Sequence, residues 1–373
     1  MLYHCTIIES TQSILYNRLM KTGKDFTIAF MMTLFCGVIC AQTPANDQNW
    51  QLNTGLSDEF NGTSLDGTKW QALDCPTGVG ANWGGSSAFS SQNVSVSGGI
   101  LNLKCDGPAS QGFCFNYPLQ NIVGYKTAGI WSLNESYSYG YLEIYAQLPG
   151  FIDGNGVAHA DKFWPAIWTY HQEFTGSCET DHDELDIMDQ CCNEYSDAKT
   201  IGYGGYDHDV NCTAIGWPTS LYTNSVPLCN SYHKYAVEWN TNKVIFYFDD
   251  LPLHEIYTSV SMNPMKAVID LQLDGSSNFY SGAPFPEYMN LDYYRYYQLN
   301  KACSTSATIL NNTDLANYIF SVKSDITFGN GANSVSLNST DVKYFRAVNS
   351  ITINGDFTVP LGAEFGLLPT DCN

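Results

Sequence analysis

The stretch DELDIMDQ, residues 183–190, places four carboxylates within eight residues. On a β-strand successive side chains point to opposite faces, so Glu184 and Asp186 would share one face. Asp189 is out of step by one residue, and a β-bulge near Ile187–Met188 would return its side chain to that face. The sequence therefore predicts a short, bulged strand that carries three carboxylates on one side.

Three clustered carboxylates favour acid–base chemistry. Like charges in close proximity raise the pKa of at least one group, so one carboxyl can hold a proton while another stays ionised. Cleavage of a glycosidic bond by two carboxylates requires this combination. An acidic strand that faces solvent, or one that holds calcium, is the alternative interpretation. A calcium loop of the helix-loop-helix kind is excluded, because Leu185 occupies a ligand position and no glycine follows.

Several segments resemble glycoside hydrolase family 16. Residues 184–189 are similar to the family's active-site signature E-x-D-x-x-E, with Asp in the last position. The family's opening, D-E-F-N-G-T-x-L-D…W, resembles residues 57–70, and its strand Y-G-Y-x-E-x-x-x-x-L-P resembles residues 139–149. FWPAIWTY, residues 163–170, is similar to the family's W-P-A-x-W strand. The resemblance covers roughly residues 50–299.

Short alternating runs separated by Gly and Asn turns are typical of β-strands. Residues 94–103 form such a pair of runs around a Gly-Gly turn, and residues 235–249 form another. No 3.6-residue periodicity of useful length follows the apolar run near the N-terminus. The sequence therefore predicts an all-β sandwich. The resemblance implies a curved β-sandwich, the concanavalin-like jelly roll, with a small C-terminal β module.

The domain organisation follows from changes in composition. Residues 1–41 are expected to be a leader and signal peptide, because an apolar run of signal length follows two lysines and precedes a small-residue cleavage point. Residues 42–299 would be the jelly-roll domain, and the Ser/Thr/Asn-rich residues 300–312 a linker. Residues 313–373 would form a β module for surface attachment or sorting. A strand-rich extension packed on the main domain is the alternative.

Charge and the leader point to an extracellular protein. Asp and Glu number 37 against 16 Lys and Arg, a net charge of −21. An acidic surface argues against nucleic acid and anionic membranes as partners, because both attract basic proteins. The apolar run is too short for a stable membrane span. We expect a secreted or cell-surface monomer whose partner is a polysaccharide substrate.

Cysteine usage agrees with export. Three of the 13 cysteines lie in residues 1–41, which leaves 10 in the exported chain. An even number of cysteines in an exported protein indicates disulfides. Sequence does not fix their pairing; the suggested bridges are Cys105–Cys114, Cys212–Cys229 and Cys303–Cys372. Adjacent cysteines seldom ligate one metal, so Cys191-Cys192 does not favour zinc.

The resemblance implies a role for each carboxylate and a set of sugar contacts. Glu184 would be the nucleophile, Asp186 would keep its ionisation suitable, and Asp189 would be the acid/base of a retaining reaction. Aromatic side chains that could stack on sugar rings are Trp131, Trp164, Trp168, Tyr170 and Tyr203. Each of these is also a candidate for the sandwich core, because Trp and Tyr fill cores as well.

Asp189 departs from the family pattern. Retention requires carboxyl groups about 5–5.5 Å apart, and one methylene less could widen that gap by ~1 Å. Misplacement on that scale can cost about 10²-fold in rate. Three functions therefore stay open: an endo-acting hydrolase of β-glucan or marine galactan, a catalytically weakened glycan-binding protein of the same fold, and an adhesive structural protein.

The resemblance also implies a structural calcium ion. Its ligands would be Glu59, the backbone at Gly99, and Asp292 of the closing strand, an oxygen set that suits calcium. An alternative for Asp292 is a pairing with a nearby cation or backbone group. No cofactor is expected to be needed for the chemistry.

Overall fold

Strands make up most of the chain in the computed structural model, which describes residues 43–75, 87–107, 125–160, 162–174, 179–190, 198–208, 214–229, 231–241, 243–257, 263–273, 284–370 and 372. The strands are β1 Trp50–Leu52, β2 Trp70–Ala72, β3 Ala88–Phe89, β4 Val94–Ser97, β5 Ile100–Cys105, β6 Lys126–Ser132, β7 Gly140–Gln147, β8 Phe151–Ile152, β9 Ala158–His159, β10 Phe163–Phe174, β11 Glu179–Asp189, β12 Thr200–His208, β13 Ala214–Thr223, β14 His233–Asn240, β15 Lys243–Phe248, β16 Leu251–Tyr257, β17 Lys266–Leu273, β18 Glu287–Leu299, β19 Lys301–Ala302, β20 Ala307–Ile309, β21 Val322–Phe328, β22 Ser334–Ser336, β23 Val342–Ile353, β24 Asp356–Thr358 and β25 Glu364–Pro369. A 3₁₀ turn at Ser91–Asn93 and a short α-helix at Asn312–Ala316 accompany them.

Two large sheets form the main domain. The first has the order β16-β15-β14-β7-β18-β5-β4, with β1 added to β18. The second has the order β13-β12-β11-β10-β17-β6-β2, with β3 added to β6. One hydrophobic core joins them, since Leu142 and Val237 of the first sheet and Ile167 and Ile269 of the second belong to the same buried cluster. The all-β jelly-roll prediction is therefore confirmed.

Alternation along the strands decides what each face of the second sheet carries. On β10, Phe163 and Ile167 belong to the core, whereas Trp164 and Trp168, out of phase with them, do not. On β17, Ile269 likewise belongs to the core. The second sheet therefore has one apolar face toward the core and one face, rich in polar and aromatic side chains, turned away from it.

The C-terminal module is built from parallel strands. Strands β19, β21, β23 and β25 pair side by side in parallel, and β22 pairs with β24 in the same way. Aromatic rings in edge-to-face and tilted contacts fill the module core, including Phe328, Phe345 and Phe365. The arrangement is a short solenoid, in which each layer of chain covers the apolar face of the next.

Two sequence expectations about this region have different outcomes. The predicted Cys303–Cys372 bridge is confirmed, and it joins the two ends of the module. The predicted linker, residues 300–312, is wrong. Strands β19 and β20 lie inside it and both pair with β21, so the module begins directly after the closing strand of the jelly roll.

At the described cysteines Cys105 and Cys229, the structure does not contain the other two predicted disulfide bridges. Cys105 is a fully buried free thiol, which makes the predicted bridge to Cys114 wrong. Cys229 also carries a thiol rather than a disulfide, so the predicted Cys212–Cys229 bridge is wrong as well. Residues 1–41 lie outside the described residues, so the signal peptide stays a prediction. In the part of the chain that the structure describes, no helix is long and apolar enough to cross a membrane.

A buried ion pair fastens the module to the start of the jelly roll. The guanidinium of Arg346 on β23 donates to Oδ2 of Asp47 at 2.6 and 2.9 Å, and the two residues are 3% and 0% exposed. Asn49 donates to Oδ1 of Asp47 and to the carbonyl of Tyr344. Asp47 and Asn49, which precede β1, therefore connect the start of the jelly roll to the C-terminal module.

Arg346→Met should lower the free energy of unfolding by about 3 kcal/mol, because it leaves the Asp47 carboxylate buried without its cation. Urea unfolding followed by tryptophan fluorescence measures the loss. The double variant Asp47→Asn/Arg346→Met should recover part of it, since the amide carries no charge. A loss below about 0.5 kcal/mol in Arg346→Met, which is the range of an uninvolved surface substitution, would show that the pair does not hold the module.

Candidate active site

The acidic strand contains the predicted bulge. Across the β10–β11 ladder, Ile167 pairs with Met188 but Trp168 pairs with Asp186, so Ile187 has no partner of its own. Ile187 and Met188 both belong to the core. The extra residue turns the following side chain by one position. The bulge prediction is therefore confirmed.

Three carboxylates of β11 consequently share one face of the second sheet, here named the acidic face. Glu184 lies opposite Tyr170, Asp186 opposite Trp168, and Asp189 opposite Ala166. Leu185, between the first two carboxylates, is fully buried in the core. On the other side of β11 the strand β12 presents small residues, since Asp186 and Asp189 face Gly204 and Gly202. These glycines place no side chain beside the two carboxylates.

Indole groups hold two of the carboxylates on this face. Trp164 donates its Nε1–H to Oδ1 of Asp189 at 2.7 Å. Trp168 donates its Nε1–H to Oδ2 of Asp270 on β17 at 2.9 Å. The register places both acceptors beside Ala166, one on each neighbouring strand. The small methyl group between them gives the two carboxyl groups room on the same row.

Burial and mutual repulsion raise the pKa values of the acidic face. Burial raises the pKa of Asp189 to about 6; the Trp164 hydrogen bond opposes this, and the Glu184 charge adds to it. Asp186 has its pKa raised well above its usual value, first by burial and then by the charges of Glu184 and Asp189. Burial likewise raises the pKa of Asp270 to about 7. Carboxyls with raised pKa values therefore lie on the same face as Glu184.

Four of the five predicted sugar-stacking residues lie on the acidic face. Trp168 packs there with Trp131 and Tyr170, its ring 5.4 Å from that of Tyr170 in an edge-to-face contact. Trp164 lies on the same face through its bond to Asp189. Lys266 lies over the Trp131 ring with Nζ 4.3 Å from its centre. The aromatic side chains therefore form a row along β10, with Trp131 two strands away.

Tyr203 is the exception, and the prediction that it binds sugar is wrong. Its side chain is 5% exposed and belongs to the core. The ring lies 5.0 Å from that of Phe246 in the opposite sheet. Because Gly202 and Gly204 face Asp189 and Asp186 on the acidic face, the residue between them must point to the core.

Within the described residues, the predicted calcium ligands are not part of a cluster of carboxylates. Both oxygens of Glu59 accept from the Arg295 guanidinium at 2.7 Å. Gly99 lies in the β4–β5 turn with a positive φ of 82°, and Asp292 lies on β18 where its pairing with β7 shifts register. Within the described ranges no three His, Cys, Asp or Glu side chains are grouped to hold a metal. Because Arg295 already neutralises Glu59, the arrangement does not favour that carboxylate as a ligand; the calcium ion itself stays a prediction.

Sequence reasoning missed Asp270 and Gln272. Both lie on β17 within the run 267–273, which is otherwise apolar. They are two residues apart and must share a face, because strand side chains alternate. That spacing of polar residues in a buried strand is the signal that could have found them.

The fold and the acidic face together define a jelly-roll protein of the glycoside hydrolase type. Residues 50–293 match the family model described as the GH16 domain of beta-porphyranases A–D. The chain belongs to this family within glycoside hydrolase family 16, as the sequence resemblance predicted.

Known proteins are similar in sequence to parts of this chain. Glucan endo-1,3-beta-glucosidase A1 of Niallia circulans is 27% identical over 285 residues, 69% of this chain and 39% of that protein. Beta-porphyranase D of Zobellia galactanivorans is 47% identical over 62 residues, 16% of this chain and 13% of that protein. The chain spans about two fifths of the length of the first curated relatives it matches.

Solved structures support the fold. The catalytic domain of an endo-1,3-beta-glucanase (laminarinase) from Thermotoga petrophila superposes with a TM-score of 0.53 at 20% identity, covering 67% of this chain and 98% of that one. A kappa-carrageenase from Zobellia galactanivorans gives a TM-score of 0.52 at 20% identity, over 67% and 96%. At these identities the comparison concerns the jelly roll alone.

Proposed function

We propose that the protein is a secreted, endo-acting glycoside hydrolase that cleaves a β-linked polysaccharide with retention. The observation that carries the proposal is that Glu184 and Asp189 share one face of β11, where Asp189 is half-buried, raised in pKa and held by Trp164. A retaining hydrolase needs one ionised carboxylate and one protonated carboxyl beside the scissile bond.

The residues divide the reaction between them. Glu184 attacks the anomeric carbon while Asp189 gives its proton to the departing glycosidic oxygen, which leaves a covalent glycosyl–enzyme ester. Asp189, now ionised, takes a proton from water, and that water cleaves the ester and frees Glu184. Because Trp164 donates to Oδ1 of Asp189, the transferable proton belongs on Oδ2. Asp186, between the two, supports the ionised state of Glu184 only while it stays protonated itself.

The substrate is a β-glucan or a marine galactan, whose sugar rings would stack along the aromatic row of the acidic face. The family model that matches, named for beta-porphyranases, favours porphyran as the first galactan to test. The wild-type protein should release new reducing ends from one glycan of a panel containing porphyran, agar, carrageenan and β-1,3- and β-1,3/1,4-glucans. A rapid fall in viscosity would accompany endo cleavage. Release from none of them, with a folded protein, would contradict the proposal.

A glycan-binding protein of the same fold is the second candidate. It is favoured by Asp189, which is shorter than the residue of the E-x-D-x-x-E signature. A binder would retain the aromatic row and lose only the proton transfer.

The alkaline limb of the pH profile should report Asp189. Its carboxyl must be protonated to donate, so kcat/KM should fall above about pH 6, by tenfold per pH unit. The Trp164 N–H stabilises the ionised carboxylate, so Trp164→Phe should raise this pKa and move the limb to higher pH. Trp131→Phe, on the same face without that bond, is the control. A limb that stays in place in Trp164→Phe would mean that another group donates the proton.

A further inference from the structure

Gln272 is a buried polar side chain on the acidic face whose carbonyl oxygen lacks a hydrogen-bond partner among the described residues. It is 3% exposed and lies directly opposite Trp164 in the β10–β17 ladder. Its Nε2 donates to Oδ1 of Asp270 at 3.0 Å. Its Oε1 is buried and, among the residues that the structure describes, accepts no hydrogen bond. An unsatisfied buried acceptor of this kind calls for an explanation.

The orientation of the amide follows from its partner. The Asp270 carboxylate already accepts the Trp168 N–H and, when ionised, can only accept. While Asp270 is ionised, the NH₂ of Gln272 faces it, as in the observed Nε2–Oδ1 bond, and this directs Oε1 away from Asp270. Gly129 keeps this arrangement compact, because a methyl group there would come within 2.8 Å of the Asp270 Cβ. Asp270 thus fixes a hydrogen-bond acceptor in one orientation.

The position of this acceptor relates it to the proposed cleavage point. Trp164 lies between Gln272, on β17, and Asp189, to which its indole is bonded. A sugar unit bound against Trp164 would therefore meet Asp189 on one side and Gln272 on the other. The most abundant donor on a neutral sugar is a hydroxyl group.

We propose that Gln272 is a specificity-determining residue, whose Oε1 accepts a hydrogen bond from one free hydroxyl of the sugar unit beside Trp164, and that Asp270 is its positioning residue. This inference rests on the proposed glycan-processing function. A bare acceptor rejects a methyl ether or a sulfate ester at that hydroxyl, because neither can donate and both leave Oε1 unpaired. The site therefore selects an unsubstituted sugar at this position.

The test compares Gln272→Met, which keeps the length of the side chain but removes the acceptor, with Gln147→Met. Gln147 lies on β7 in the other sheet and donates to the Cys229 carbonyl. Gln272→Met should lower kcat/KM on the glycan that the wild type cleaves by about tenfold, the effect of one neutral hydrogen bond. In a Glu184→Gln background it should weaken binding of the same glycan by a similar factor. Gln147→Met should do neither.

Partially O-methylated glycan separates a hydroxyl contact from a general packing defect. Wild type should prefer the unmodified polymer, and Gln272→Met and Asp270→Asn should both lose that preference, whatever their absolute rates. If wild type cleaves and Gln272→Met keeps kcat/KM within twofold and the same preference, the role of Gln272 is overturned while the proposed function stands. If the wild type neither cleaves nor binds any glycan of the panel, the proposed function fails and this inference fails with it.

Discussion

Glu184→Gln should abolish hydrolysis and leave glycan binding within about twofold of wild type. The amide keeps the shape of the side chain on the acidic face but cannot attack the anomeric carbon. Loss of a nucleophile costs roughly 10⁴-fold or more in kcat. Release of reducing ends measures the first effect, and affinity electrophoresis with the same glycan measures the second.

The matched control is Glu255→Gln, the same chemical change at an exposed position of β16 in the other sheet, which should keep full activity. The variant at Glu184 should also be more stable at high pH, because its charge contributes to the raised pKa values of Asp186 and Asp189 and the repulsion is removed. Residual hydrolysis above about 1% of wild type in Glu184→Gln would assign the nucleophile to another group. Removal of a catalytic residue from a hydrolase leaves far less activity than that.

The acidic face could be predicted from sequence because its geometry is local. Glu184 and Asp186 share a face through strand alternation, and the bulge follows from the apolar pair Ile187–Met188, both of which must reach the core. No distant contact is needed for that conclusion. The same local argument, applied to Tyr203, fails because nothing in its own segment says whether the tyrosine or its glycine neighbours face the core.

What sequence missed depends on pairing between distant strands. Asp270 becomes part of the site only because β17 pairs with β10 and brings it level with Ala166. The module boundary was misplaced for the same reason, since β19 and β20 are two- and three-residue strands whose partner β21 lies further along the chain. Composition marks residues 300–312 as a linker, and only the parallel pairing shows otherwise.

Asp189→Glu distinguishes an enzyme adapted to a shorter acid from a protein that has lost catalysis. The longer side chain can be accommodated, because its neighbours across the ladder are Ala166 and Gly202. The extra methylene would move the carboxyl ~1 Å from its present place and away from the Trp164 N–H, a displacement that can cost about 10²-fold. We expect that loss in kcat, with little change in KM, measured on the glycan that the wild type cleaves.

The opposite result has an equally definite meaning. If the wild type binds glycan without cleaving it, and Asp189→Glu gains hydrolysis by the 10²–10⁴-fold typical of a placed general acid, the protein is a binder that lost its acid by one methylene. Asp189→Asn serves as the isosteric control, since it removes the proton without lengthening the side chain and should be inactive in either case. An active Asp189→Asn, with Asp189→Glu unchanged, would show that Asp189 is not the proton donor. Because the Trp164 N–H already holds Asp189 at 2.7 Å, we expect the rate to fall, as it would in an enzyme built around the shorter acid.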